Sequence, residues 1–104
     1  MQYDITVIIV NWRVRDLLER CLESIIANKD GLNIEIYVVD NDSRDGTSEM
    51  IMMEFPEVKV LAMARNLGFA RANNLAIKQA SGKHIFLLNP DTEIKPGFFK
   101  SIYA

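Results

Sequence analysis

Asn89 and Asp91 stand directly after the apolar run Phe86–Leu88, with Pro90 between them. Pro has no N–H to give a sheet ladder, so it marks the end of a strand and puts an amide and a carboxylate at its tip. Such a pair either closes an Asx turn or offers oxygen ligands to Mg²⁺ or Mn²⁺, which can bridge a diphosphate. Three further apolar runs end in the same kind of chemistry. "ITVIIV" leads into Asn11, Trp12 and Arg13. "IEIYVV" leads into Asp40, Asn41, Asp42 and Ser43, with Asp45, Gly46 and Thr47 beyond, and "VKVLAM" leads into Arg65, Asn66 and Gly68. A flat ring such as Trp12 stacks on a base, and a carboxylate such as Asp40 accepts an imide N–H from uracil or thymine. Taken singly, each group has a plainer reading. "NDSRDGT" suits a turn and helix cap, Trp12 suits rim packing, and Arg65 suits a solvated charge.

The spacing of apolar residues says how these groups are positioned. Residues 5–10, 34–40, 58–63 and 84–88 read as strands. Val14, Leu17, Leu18, Cys21, Leu22, Ile25 and Ile26 form one stripe of an amphipathic helix stopped near Gly31. A second helix runs through "SEMIMMEF", with Met50, Met52 and Met53 expected as gap-filling core. A third runs through "FARANNLAIKQA" and ends at Gly82, and a fourth begins around "KPGFFKSIYA", with Pro96 near its first turn. The order βαβαβαβα indicates a three-layer α/β/α domain with a mostly parallel, doubly wound sheet and right-handed crossovers. Ligands of such sheets bind outside the carboxyl ends of the strands, where all four polar groups collect. That convergence favours a ligand site over four unrelated turns. Neither GxGxxG nor GxxxxGK[ST] is present, so a diphosphate here would depend on a metal for charge neutralisation. His84, at the opposite strand end, reads as structural or exposed.

The 104 residues suffice for a single domain, 1–104, with no internal linker or repeat. The net charge of −2 argues against nucleic acid as a partner. Cys21 is the one cysteine, which excludes a disulfide framework within the chain; it lies in the helix stripe and reads as core. With no basic leader and no spanning run, the expected location is cytoplasmic, with the inner face of the membrane as a further station.

"ITVIIVNWR", "IYVVDNDSRDGT", "NLGFARANNLAI" and "IFLLNPDTEIKPGF" resemble successive motifs of family 2 glycosyltransferases with the GT-A fold, a Rossmann-like architecture. The resemblance runs from about residue 4 to the end of the chain, and the "NPDT" form is similar to the rhamnosyltransferase-like branch. It implies an inverting transfer, in polysaccharide biosynthesis, from a UDP- or dTDP-sugar to a hydroxyl on a glycan or lipid-linked acceptor, with Mn²⁺ or Mg²⁺ as cofactor. By the same resemblance Asn11, Trp12, Asp40, Asp42, Asn66, Asn74, Asn89 and Asp91 are nucleotide-sugar-binding positions. Trp12 stacks on the base, Asp40 reads the imide, and Asp91 is the metal ligand. Asn89 stands where the family's metal motif has its first Asp, Asp42 where many members have Gly, and Arg13 where Asn is common.

The resemblance also implies that the base acting on the acceptor lies beyond residue 104, so the chain is expected to be a truncated, donor-binding portion that is inactive alone. In the family's sheet order the fourth strand lies beside the first, which would leave "HIFLL" as an open edge prone to self-association. Two other readings are a receiver-like phosphoacceptor domain and a non-catalytic assembly module of the same fold. A complete strand and helix precede "VVDND", whereas the acidic cluster of a receiver follows its first strand.

Overall fold

The computed structural model describes residues 3–103. Strands β1 (Tyr3–Asn11), β2 (Ile34–Asp40), β3 (Lys59–Ala62) and β4 (Gly82–Leu88) alternate with helices α1 (Arg15–Ala27), α2 (Thr47–Glu54), α3 (Phe69–Gln79) and α4 (Phe98–Tyr103). All strand pairs are parallel, in the order β3-β2-β1-β4. Asn11 pairs with Asp40, Asp40 with Ala62, and Ile9 with Leu88, so the strands stop nearly level. This is the three-layer, doubly wound architecture expected from the alternation of elements.

β1 is the central strand and is apolar toward both layers. Ile5, Val7 and Ile9 face Leu18, Cys21, Leu22 and Ile25 of α1, together with Ile51 of α2 and Phe99 of α4. Each fully buried isoleucine or leucine contributes about 1.5–3 kcal/mol, so this layer carries most of the hydrophobic stabilisation. On the other face Ile8, Tyr37 and Val39, flanked by the partly buried Val10, Leu61 and Met63, pack with Ala72 and Ala76 of α3. Those small residues let α3 lie close over β1 and β2. β4 receives no such cover on that side, and Ile85 and Leu87 are 44% and 46% exposed.

Some expectations need correction. Of the three methionines of α2, Met50 is buried, but Met52 and Met53 are exposed. Residues 50 and 52 lie about 200° apart around a helix, so one apolar face cannot hold both. α1 ends at Ala27 rather than near Gly31, where Asn28 turns its Nδ2 back to the Ser24 carbonyl at 2.9 Å. Pro96 precedes α4 by two residues, and Asp30 caps that helix by accepting from the N–H groups of Gly97 and Lys100.

Glu35 is an acid inside an apolar strand. Its carboxylate accepts from Thr6 Oγ1 at 2.8 Å, from the Ser81 N–H at 2.9 Å, from Ser81 Oγ, and from Lys59 Nζ at 2.7 Å. Gly82 closes the same junction: a Cβ there would lie 2.5 Å from the Thr6 backbone nitrogen, so no side chain fits. Burial alone would raise the Glu35 pKa, but Lys59, Ser81 and Thr6 outweigh it and hold the carboxyl below its ordinary 4.5. A depressed carboxyl contributes stability above its unfolded-state pKa and loses it as pH falls through the folded value. Urea-unfolding midpoints are therefore expected to drop between about pH 7 and about pH 3, and to drop less in Glu35→Gln. Equal drops in both proteins would remove Glu35 from the account.

Candidate functional site at the carboxyl rim of the sheet

Asn11 is fully buried at the tip of β1. Its Nδ2 donates toward Ser43 Oγ at 3.1 Å, Thr47 Oγ1 at 3.2 Å and Asp40 Oδ1 at 3.4 Å. Its Oδ1 finds no donor among the described residues, a cost of about 1–3 kcal/mol that is accepted where three acceptors crowd the other end of the amide. The β1 tip is bound to the β2–α2 loop twice more, through Asn41 N–H to the Asn11 carbonyl (2.9 Å) and Arg13 N–H to Ser43 Oγ (2.8 Å).

The loop itself is tightly wound. Asp42 and Arg44 have left-handed φ of 59° and 56°, as does Arg13 on the facing β1–α1 connection at 58°, and Gly46, at 82°, leads into α2. Non-glycine residues in this region concentrate at sites whose geometry is imposed by their surroundings. Taken singly, "NDSRDGT" suits a turn and helix cap, and the structure shows such a cap in it. The residue before α2 is Gly46, and the capping acceptor is Asp45, whose Oδ1 takes the Thr47 N–H at 3.2 Å.

Asp40 is 7% exposed and lies in the wall of an open cleft of about 670 Å³ formed by the β2 tip, the first turns of α2 and Met63 after β3. Its Oδ2 accepts from Ser48 Oγ at 3.2 Å. Asp42 lines the same cleft and is paired with Arg44 at 2.9 Å. Asn41 joins this rim to the third loop, with its Oδ1 accepting the Leu67 N–H and its Nδ2 reaching the Gly68 carbonyl. Asn66 closes an Asx turn onto the Gly68 N–H at 2.8 Å and is exposed.

The remaining expected residues surround this centre rather than line it. Trp12 is 48% exposed, with the Arg13 guanidinium 4.8 Å from its ring centroid, and is not among the residues lining the Asp40 cleft. Asn74 lies on the exposed side of α3 in a separate depression with Arg71 and Lys78. Asn89 and Asp91 are exposed on the turn after β4, with the Asn89 carbonyl accepting the Thr92 N–H. Cys21 lies beneath that turn, its Sγ 4.0 Å from the Asn89 carbonyl. Burial, with the Asp91 charge adding to it, pushes the Cys21 thiol up to about 12, which fits a core residue and no nucleophile.

Among the described residues no three His, Cys, Asp or Glu side chains gather closely enough to hold a metal by themselves. Asp91 and Asn89 offer two exposed oxygen donors, which suits a cation that takes its other ligands from a bound diphosphate and water. Asn41 was visible among the polar groups at the tip of β2 without an assigned role, whereas Ser48 carries only the general signal of a polar residue in the first turn of a helix.

Residues 6–104 match the family profile described as Glycosyl transferase family 2. The chain belongs to that family. Among curated members, it is 32% identical over 94 residues to the succinoglycan biosynthesis protein ExoO of Rhizobium meliloti, covering 89% of this chain and 27% of that protein. It is 35% identical over 105 residues to the minor teichoic acid biosynthesis protein GgaB of Bacillus subtilis, covering 96% of this chain and 12% of that protein. This glycosyltransferase-family chain thus spans about a quarter or less of these two relatives. Its fold matches S. aureus TarS 1–349 with a TM-score of 0.83 at 24% identity, covering 95% of this chain and 31% of the other. The mannosyltransferase PcManGT of Pyrobaculum calidifontis, in complex with GDP-Man and Mn²⁺, matches with a TM-score of 0.80 at 23% identity, covering 99% and 31%. Both likenesses establish the GT-A fold of this chain. Among the described residues no helix is long and apolar enough to cross a membrane.

The Asn11 hub sets an expectation for stability. Asn11→Ala removes the shared donor but also the orphaned Oδ1, so the net loss is about 1–2 kcal/mol. Asn11→Asp places a second carboxylate beside Asp40 and is expected to unfold at lower urea than Asn11→Ala at neutral pH, with the gap narrowing in acid. An Asp variant as stable as wild type at neutral pH would contradict the hub.

Proposed function

We propose that residues 1–104 form the donor-nucleotide domain of an inverting glycosyltransferase that takes a UDP- or dTDP-sugar. The observation that carries this reading is the Asp40 carboxylate, held at the carboxyl rim by Asn11 and Ser48 and facing an open cleft. A carboxylate so fixed is suited to accept the single imide N–H of uracil or thymine. The half-exposed Trp12 ring, covered by Arg13 on one side, offers its other face to the base. Asn66 and Asn74 flank the nucleotide and the sugar diphosphate, and Asp42, neutralised by Arg44, shapes the rim.

Asp91, with Asn89 beside it, would hold a divalent cation together with the diphosphate. When bound, that cation supplies charge neutralisation for the leaving nucleoside diphosphate. In-line attack by the acceptor hydroxyl also needs a base within hydrogen-bond reach. This reading assigns the base and the acceptor site, for a glycan or lipid-linked hydroxyl, to sequence outside these residues, so the chain alone binds donor without transferring sugar. The relatives' names, succinoglycan and teichoic acid biosynthesis, support a polysaccharide role. "NPDT" supports the rhamnosyltransferase-like branch. Support for a nucleotide-sugar donor comes from S. aureus TarS, solved in complex with UDP-GlcNAc.

Titration calorimetry with UDP and dTDP, with and without Mn²⁺, tests the proposal. Metal-dependent binding is expected, weakened about tenfold or more by Asp91→Asn. No binding by a chain shown to be folded would sink it. Self-association through β4 belongs to the same reading, since among the described residues no strand pairs with its outer edge, and Ile85 and Leu87 are exposed beside it. Light scattering is expected to show mass rising with concentration, and Leu87→Lys to lower it. A monodisperse, thermally robust wild-type monomer would count against the edge.

A further inference from the structure

We infer that Ser48 is a second reader of the base, its hydroxyl donating to a carbonyl beside the imide N–H that Asp40 accepts. The inference rests on the reading of Asp40 as the imide acceptor. Ser48 is the second residue of α2 and lines the cleft with Asp40. Its hydroxyl hydrogen is directed at Asp40 Oδ2 over 3.2 Å. Asp40 Oδ1 already takes the long 3.4 Å contact from Asn11, and the residue is only 7% exposed, so little of the carboxylate is open to a ligand.

Uracil and thymine present an N–H flanked by two C=O groups. An acceptor alone satisfies the N–H and leaves the neighbouring carbonyl without a donor, which is costly in a partly desolvated cleft. Ser48 removes that cost by exchange. The imide N–H takes the place of the serine hydroxyl on Asp40, and the hydroxyl turns to the carbonyl. Hydrogen bonds are conserved, and no group moves beyond one rotation about a Cβ–Oγ bond. The position of Ser48 is fixed from behind, since Thr47, its neighbour, is bound by both Asn11 and Asp45. Met53 and Met63 line the same cleft and give a ring soft, polarisable walls.

The test pairs changes in the protein with changes in the nucleotide. Dissociation constants of UDP, 2-thio-UDP, 4-thio-UDP and N3-methyl-UDP are measured for the wild-type chain, Ser48→Ala and Ser48→Thr. Ser48→Ala is expected to weaken UDP about 3- to 10-fold, and Ser48→Thr to restore it. One of the two thio analogues, having a poor acceptor in place of the carbonyl oxygen, should bind wild type more weakly than UDP. It should show no such penalty with Ser48→Ala, a coupling that a merely structural serine would not produce. Equal UDP affinity in wild type and Ser48→Ala overturns the inference, as does the same thio penalty in both. Wild type that binds N3-methyl-UDP as well as UDP, or binds neither, overturns the Asp40 reading and this inference with it.

Discussion

Asn11 spends its amide hydrogens inside the protein, on acceptors from the tip of β2, the loop beyond it and the first residue of α2. Because β1 is paired on both sides, this one side chain ties the β2–α2 loop to an interior strand of the sheet. A loop that carries left-handed Asp42 and Arg44 would otherwise have many conformations of similar energy. Its bonds to Asn11 and to the Arg13 N–H restrict that choice and hold Asp40 at the rim. Asn11 is itself fully buried, and its hydrogen bonds set the orientation of the groups around it.

The same physical economy governs the two layers. The α1 side is built from large aliphatics and supplies the bulk of the core, whereas α3 approaches through alanines. Small residues bring a helix near the sheet at little hydrophobic gain, and here they bring the α3 entry loop within reach of Asn41. Geometry at the rim is thus obtained from the weaker layer and stability from the stronger one.

Much of this was legible in sequence. The four apolar runs marked the strands because a parallel strand covered on both faces must be apolar on both, and β1 and β2 are. The polar groups at their ends were visible for the same reason, as abrupt breaks in those runs. What could not be read was direction. Nothing in "NW" says that Asn11 turns inward while Trp12 stays half exposed, since that depends on register against Asp40 and on the Ser43 and Thr47 oxygens some thirty residues on. The methionines of α2 misled because hydrophobic type was read without angular position. Glu35 passed as an ordinary strand residue, although an acid in a run such as "IEIYVV" signals a buried carboxylate with partners of its own.

The parallel pairing of β1 with β4 has a consequence in time as well as in space. Tyr3 pairs with Gly82 and Ile9 with Leu88, so β1 acquires its β4 neighbour only after the residues up to Leu88 are available. Closing so long a loop is entropically slow, and folding rates fall as contacts become less local. During synthesis β1, β2 and α1 can assemble early, but the junction of Gly82 against Thr6 must wait. The β1–β2 part of the rim, which carries Asp40, can therefore form before β4 is in place, and the turn with Asn89 and Asp91 follows it.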